Sequence, residues 1–374
     1  MLRWLKKRKD NDLVIGWKNG KKPIVLKEYM RFKHEAVFGP AGAGKSSRHQ
    51  LRRIKHDLSC LSRGENRSLV VIENHNTLVK GAKQFMTDVG TNPEIVNILD
   101  VDDDEDDNSS FGWNPLLEEN CYEFFPQALV SAIPDLEPAQ CPFIESTCMW
   151  MVRLAKAFYG GNVNLLTLVN LYKDPRHVAD IVNLMKSLEK VDSNPENAAI
   201  IEHMNTFVLR YIEYEEILEQ FPIMYRESDK YEGLKVVEWR NKELIEPVIK
   251  MMESILQDQT LTRILNSSSS LKVSEVVKKN RIVFLRTGLS ANGTLLGNLF
   301  ISALSYSISH RPNELQHPCF ITIDNAGSFD LNPLRPILDN GRTLRTSVSL
   351  SFQSIRRDVL PIESIYVFFF MILS

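Results

Sequence analysis

The sequence predicts an α/β protein: a mostly parallel sheet carrying one glycine-rich loop, with an all-helical unit inserted into it. Three observations carry this. A glycine-rich stretch, Gly39-Pro40-Ala41-Gly42-Ala43-Gly44-Lys45-Ser46, stands between a short apolar run and a helical pattern. Continuous apolar runs of strand length recur early and late in the chain, as expected of strands buried on both faces. Between them, over roughly residues 119–225, apolar residues instead repeat at helical spacing.

At 374 residues the chain is long enough for two or three packed units. Hydrophobic residues at 43% and charged ones at 25% are ordinary for a soluble globular protein. A net charge of −2 confines any nucleic-acid surface to a local patch. The five cysteines (Cys60, Cys121, Cys141, Cys148, Cys319) are scattered and lack C-x-x-C spacing. They read as free thiols in a reducing cytoplasm, neither a disulfide frame nor a zinc site. The basic start, residues 1–9, has no apolar core behind it and is no signal peptide. No run approaches the ~20 apolar residues of a membrane span. Residues 1–10 read as a solvated basic tail or as a contact for anionic lipid or nucleic acid, which leaves peripheral membrane association open.

Taken in order, Leu13-Val14-Ile15-Gly16-Trp17 and Pro23-Ile24-Val25-Leu26 flank Asn19-Gly20, a hairpin signal. His34-Glu35-Ala36-Val37-Phe38 is the strand before the glycine-rich loop, and residues 47–60 the helix after it. Ser68-Leu69-Val70-Val71-Ile72 reads as a central strand. It ends in Glu73-Asn74-His75-Asn76, placing polar groups at the sheet's carboxyl edge, where ligands sit in open α/β folds. Ile95-Val96-Asn97-Ile98-Leu99 is a further strand. The acidic run at 102–107 lacks the Gly and the downstream Glu of an EF-hand loop and reads as a solvated loop. The helical stretch breaks at Gly160-Gly161, Asp174-Pro175 and Asn194-Pro195. Residues 243–257 form an amphipathic helix, Ile282-Val283-Phe284-Leu285 a buried strand and residues 295–309 an apolar helix. Cys319-Phe320-Ile321-Thr322-Ile323-Asp324 is a strand ending on an acid, and Ser347-Val348-Ser349-Leu350-Ser351-Phe352-Gln353 the last clear strand. The expected domains are residues 1–118 and 231–374 for the nucleotide-binding part and 119–230 for the helical insertion.

The loop fits G-x-x-x-x-G-K-[ST] at every fixed position, in strand–helix context. Its glycines permit the turn and let backbone N–H groups, through Ser47, face phosphate oxygens beside a positive helix end. Lys45 can reach the β/γ-phosphates and the Ser46 hydroxyl can ligate Mg²⁺. Asp324, ending an apolar strand, is the candidate to hold the same Mg²⁺ opposite Ser46. Asn325 follows, where hydrolases of this kind place a Glu to polarise the attacking water; an amide can orient a water but not take its proton. Gln353 could report on the γ-phosphate or simply be a solvent-facing strand end.

The order of these pieces, from about residue 13 to about residue 356, resembles the cytosolic part of type IV coupling proteins, the TraG/TraD-type ATPases of conjugation and type IV secretion. The approach Arg31-Phe32-Lys33-His34, the GPAGAGKS loop, the strand LVVIENHN, Asn114-Pro115-Leu116 before a helical insertion, ITIDN and NGRTLRTSVSLSFQS each stand where that family carries a matching segment. The resemblance implies a RecA-like P-loop NTPase fold, hexameric in the family's manner, using ATP and Mg²⁺ to recruit or move DNA, with relaxosome or secretion-channel proteins as partners. It also implies that Arg342 is offered to a neighbouring subunit's phosphate and that Gln353 senses nucleotide. Three departures stand out: Asn325 for the catalytic Glu, Glu73-Asn74-His75 for D-P-K, and an apolar end at 366–373 where the family continues through further strands, which suggests truncation or a frameshift. The competing expectations are a cytosolic FtsK/HerA-like DNA translocase and a non-hydrolysing, nucleotide-dependent scaffold.

Overall fold

The computed structural model describes residues 11–19, 21–101, 112–189, 194–211, 224–225, 229–267, 271–312, 314 and 316–354. The basic tail, Gly20 of the hairpin turn, the acidic run and the apolar end at 366–373 lie outside the described residues. The chain divides into two compact units, Met1–Trp113 with Ser269–Ser374, and Asn114–Ser268.

In the first unit, β1 (Leu13–Lys18) and β2 (Lys22–Leu26) pair antiparallel around Asn19, whose φ of 54° suits the tight turn. A single helical turn, α1 (Glu28–Arg31), leads into β3 (Glu35–Phe38). The phosphate-loop helix begins as a wide π-type turn over Lys45–Gln50 and continues as α2 (Leu51–Ser62). There follow β4 (Ser68–Glu73), α3 (Thr77–Val89) and β5 (Val96–Asp100). After the second unit the chain resumes with a helix over Val273–Lys278, a strand over Ile282–Arg286, the long helix Ala291–Ser309, the strand Cys319–Ile323, the short helix Arg335–Asn340 and the strand Thr346–Phe352.

The second unit opens with α4 (Cys121–Ser131) and α5 (Cys141–Tyr159), which pack on each other through Phe124, Phe125, Leu129, Cys148, Met151 and Val152, all buried. α6 (Leu165–Lys173), α7 (Pro175–Glu189) and α8 (Pro195–His203) follow. Of the breaks seen in the sequence, Gly160-Gly161 ends α5, with Gly160 at a φ of 55°, and the other two are helix starts. Asp174 Oδ1 accepts from His177 N at 2.9 Å and Asn194 Oδ1 from Glu196 N at 3.0 Å, each just before a proline at the first helical position. A two-stranded ribbon, β6 (Leu209–Tyr211) with β7 (Val237–Trp239), then leads to α9 (Lys242–Gln257) and α10 (Gln259–Leu265). In the numbering continued from here, the later helices of the first unit are α11, α12 and α13 and its later strands β8, β9 and β10, in the order given above.

The limits of this unit correct the expected boundaries of 119 and 230. Residues 231–268, α9 included, group with the helical unit. α9 packs on α6, and Trp239 Nε1 donates to Tyr172 O at 3.0 Å in the interior. An amphipathic helix looks the same in sequence whichever core receives its apolar stripe, so this assignment had no local signal.

The sheet of the first unit runs β3-β10-β9-β4-β8-β5, with every neighbouring pair parallel. Both alternating sets on its central strands are buried: Leu69, Val71 and Phe284 on one face, Val70, Ile72 and Leu285 on the other. α2 and α3 supply Ile54, Leu58, Leu78 and Val79 to the first set's core. Among the described residues no helix is long and apolar enough to cross a membrane, and all five cysteines are free.

A buried charge cluster fixes the approach to β3. Asp57 of α2 accepts two hydrogen bonds from Arg31, both at 2.7 Å, and one from Arg67 at 2.9 Å. Both guanidiniums lie over the Phe320 ring of β9, 3.8 and 5.2 Å from its centre. Burial pushes the Asp57 carboxyl upward, but the two arginines outweigh it and hold it below the usual range. Asp57→Ala would strand two buried cations. The expected cost is about 3–5 kcal/mol in the opening free energy of α2 and β9, read by hydrogen exchange. A loss below about 1 kcal/mol would mean that Glu28 and Glu65, which already accept from Arg67, take over as partners.

Candidate functional site

The site forms at the carboxyl edge of the sheet, where β3 and β9 are separated by β10. β3 runs directly into the loop, and Gly39 N donates to Phe352 O at 3.2 Å, tying the loop's start to the end of β10. Gly42 and Gly44 take left-handed φ values of 78° and 85°, which only glycine adopts without strain. The Gly44 carbonyl accepts from both Arg48 N, at 2.9 Å, and His49 N, at 3.3 Å, giving the wide first turn of the helix. Glu35 anchors that helix from β3: its carboxylate binds His49 at 2.8 Å, Arg53, and Ser349 Oγ at 2.9 Å.

Lys45 is folded back over the loop, Nζ donating to Gly39 O at 2.6 Å and Pro40 O at 2.9 Å. It is only 9% exposed, so the loop's cation lies inside the turn. Pro40, Ala41, Gly42 and Ser47 are exposed, while Gly39, Ala43, Gly44 and Ser46 are half-buried. Across the edge, Ser46 Oγ donates to Asp324 Oδ2 at 2.7 Å, joining residues 278 apart in sequence. The other Asp324 oxygen accepts from Ser351 Oγ of β10, and the Asp324 N–H donates to Ile72 O at 2.8 Å. A hydroxyl and a carboxylate in contact beside a lysine-bearing loop form the oxygen donor set that a hydrated Mg²⁺ takes. The residues therefore fit Mg²⁺ with a phosphate ester.

Asn325 follows in the left-handed region (φ 51°, ψ 46°). Its N–H donates to Ser351 Oγ at 3.1 Å, and its side-chain Nδ2 to Ser328 Oγ at 2.7 Å. Gln353, next after β10, is exposed at this same edge, adjoining the Phe352 carbonyl that holds Gly39. Arg342 is elsewhere. It is exposed on the turn before β10, at the amino end of a seven-residue strand and so at the opposite edge from this chain's own loop.

Glu73 takes a different place from the polar ligand edge read in the sequence. Its carboxylate turns into the start of α3 and accepts from Thr77 N at 3.1 Å, Leu78 N at 3.0 Å and Val79 N at 2.7 Å. It is fully buried; burial raises its pKa to about 7, and neighbouring Asp324 adds to the rise. Asn74 is spent on Gly288 O, at 3.1 Å, leaving His75 and Asn76 exposed. Sequence reasoning missed Ser351. The alternation Ser347-Ser349-Ser351 in an otherwise apolar strand was its one signal, since such hydroxyls in a buried strand need partners.

No protein-family model matches the chain, and no curated protein matches it in sequence. Solved structures do. They include the bacterial conjugative coupling protein TrwBdeltaN70, unbound, at 13% identity over 94% of this chain and 68% of that one, with a TM-score of 0.55. The same protein in complex with sulphate matches at 13% identity over 97% and 73%, TM-score 0.57. The plasmid coupling protein TrwB in complex with ADP and Mg²⁺ matches at 13% identity over 94% and 69%, TM-score 0.55. At this identity the likeness is one of fold, and the chain has the RecA-like NTPase fold of these structures.

Proposed function

We propose that this chain binds ATP with Mg²⁺ and works as a coupling protein, using nucleotide to bring DNA to the transfer channel of a conjugation or type IV secretion system. The observation that carries the nucleotide site is the Ser46–Asp324 hydrogen bond. It brings a loop hydroxyl and a distant strand-end carboxylate together beside Lys45, a juxtaposition that a chance glycine-rich turn has no reason to make. The fold-mates support it: TrwB is known in complex with ADP and Mg²⁺ and with non-hydrolysable GTP and ATP analogues.

In this reading the N–H groups of residues 42–47 receive the phosphates. Lys45 exchanges its two carbonyl partners for β/γ-phosphate oxygens, and Ser46 with Asp324 holds the metal. Bound Mg²⁺ would neutralise phosphate charge as it develops. Asn325 and Gln353 lie at the γ-phosphate end, where Asn325 orients a water without deprotonating it. Arg342, remote from its own loop, serves a neighbouring subunit in a homo-oligomer, a hexamer by the family's pattern. A nucleotide-dependent scaffold is the second reading, favoured by the Asn325 side chain being bound to Ser328 rather than free to act on water.

The helical unit, Asn114–Ser268, has its own buried core, and we assign cargo or DNA recognition to it. Replacing residues 114–268 by a Gly/Ser linker should preserve binding of a fluorescent ATP analogue while abolishing salt-dependent DNA or partner binding. Loss of both together would show that the unit belongs to the folding core of the nucleotide domain.

A further inference from the structure

His34 stands at the root of β3 with a φ of 61°, in the left-handed region where a non-glycine residue is uncommon. It is 5% exposed. Burial outweighs the pull of the Ile337 and Leu338 carbonyls and of Asp339 and holds its pKa at about 4, so the ring is neutral at pH 7. Nδ1 accepts a hydrogen bond from Val348 N of β10 at 3.1 Å, which places the ring proton on Nε2. The Cε1–Nε2 edge of the ring lies close against Gly341. A Cβ there would overlap His34 Cε1 and Nε2 and come within 2.9 Å of Phe32 O, although the Gly341 backbone itself (φ −54°) is one any residue can adopt. Glycine is therefore required at 341 by the imidazole beneath it.

Residue 342 comes next. The turn that carries it is wound by Leu344 N on Asn340 O (2.9 Å), Arg345 N on Arg342 O (3.2 Å) and Thr346 N on Gly341 O (2.8 Å). It is gripped on its other side by the buried Arg311, whose guanidinium donates to Leu344 O, to Thr346 Oγ1 at 3.3 Å, and to the carbonyls of Val277 and His317 at 3.2 and 3.1 Å. We infer that His34 is a positioning residue for Arg342: its ring, seated under Gly341, sets the turn that presents Arg342 outward, and ties that turn to the strand feeding the same subunit's phosphate loop. This rests on the reading above in which Arg342 acts on a neighbouring subunit's nucleotide.

The test uses the full chain with Mg·ATP and DNA at high protein concentration. His34→Asn keeps a residue that tolerates the left-handed backbone but removes the ring. It should leave affinity for a fluorescent ATP analogue unchanged and lower turnover on the order of 10–100-fold, the scale of a misplaced transition-state group. Exchange of the Arg345 and Thr346 amides should quicken, whatever the basal turnover. Mixed with Lys45→Ala subunits, whose own site is dead but whose Arg342 turn is intact, His34→Asn subunits should regain activity. Arg342→Ala mixed with Lys45→Ala is the control. If that control mixture stays inactive, or Arg342→Ala turns over like wild type, the trans reading fails and the inference with it. If the control complements but the His34→Asn mixture does not, His34 acts in its own site and the inference alone is overturned. Unchanged amide exchange in the turn would overturn it as well.

Discussion

Lys45→Ala is expected to lower affinity for an ATP analogue by at least about 10²-fold, the loss of a charge-assisted contact with phosphate, while leaving circular dichroism and thermal unfolding close to wild type. The fold should survive because Lys45 has no role in the core. Its ammonium satisfies two carbonyls of its own loop, Gly39 O and Pro40 O, and those can turn to water when the side chain is cut back. The affinity should not survive. The other arginines in the helix's first turns are Arg48, Arg52 and Arg53; Arg53 is bound to Glu35, and Arg52 Nη1 is spent on Ile15 O at 3.1 Å. Arg48 lies alongside Gly44, with its Cδ against the position a Cβ would take. The measurement is a titration of fluorescent ATP analogue with and without Mg²⁺. Equal affinity in mutant and wild type would remove the site assignment, however well the loop fits its pattern.

Much of the first unit was legible because its signals are local. A run such as Leu69-Val70-Val71-Ile72, apolar on both alternating faces, has few options other than a strand covered on both sides, and it is β4, paired between β8 and β9. The phosphate loop was legible because its glycines, lysine and serine sit at fixed spacing, and the positive φ values of Gly42 and Gly44 are the reason glycine stands there. What sequence could not show were pairings between distant residues. Glu73 read as a polar ligand at the sheet edge, yet a carboxylate one turn before a helix start has an alternative, the unpaired N–H groups of that helix, and it takes three of them. Asn340-Gly341 reads locally as a turn, but the constraint that requires glycine there comes from His34, far away in the chain. The limit of the helical unit was missed for the same reason: the stripe of α9 is defined locally, its partner α6 is not.

Asn325→Glu is the substitution with the largest expected gain. A positioned carboxylate base contributes on the order of 10²–10⁴-fold to a hydrolytic step, and the carboxylate that neighbours Asp324 is not free for that work. Glu73 is the nearest candidate, but it is fully buried and both of its oxygens are bound by α3 backbone N–H groups. The structure also shows what opposes the change. Asn325 adopts φ 51°, a region that asparagine tolerates and glutamate does not, at a cost of roughly 1–2 kcal/mol. Its side chain also closes a 2.7 Å bond to Ser328 Oγ that a glutamate at neutral pH could keep only as acceptor. Ser46, Asp324 and Lys45 lie outside those losses, so ATP affinity should change little while turnover rises. Asn325→Asp, which suits the left-handed backbone better but reaches less far, should fall between wild type and Glu. The assay belongs at high protein concentration with DNA, so that Arg342 of one subunit can reach the next. If wild type already turns over rapidly and neither carboxylate adds anything, residue 325 does not face the attacking water, and the base must come from another position on this edge.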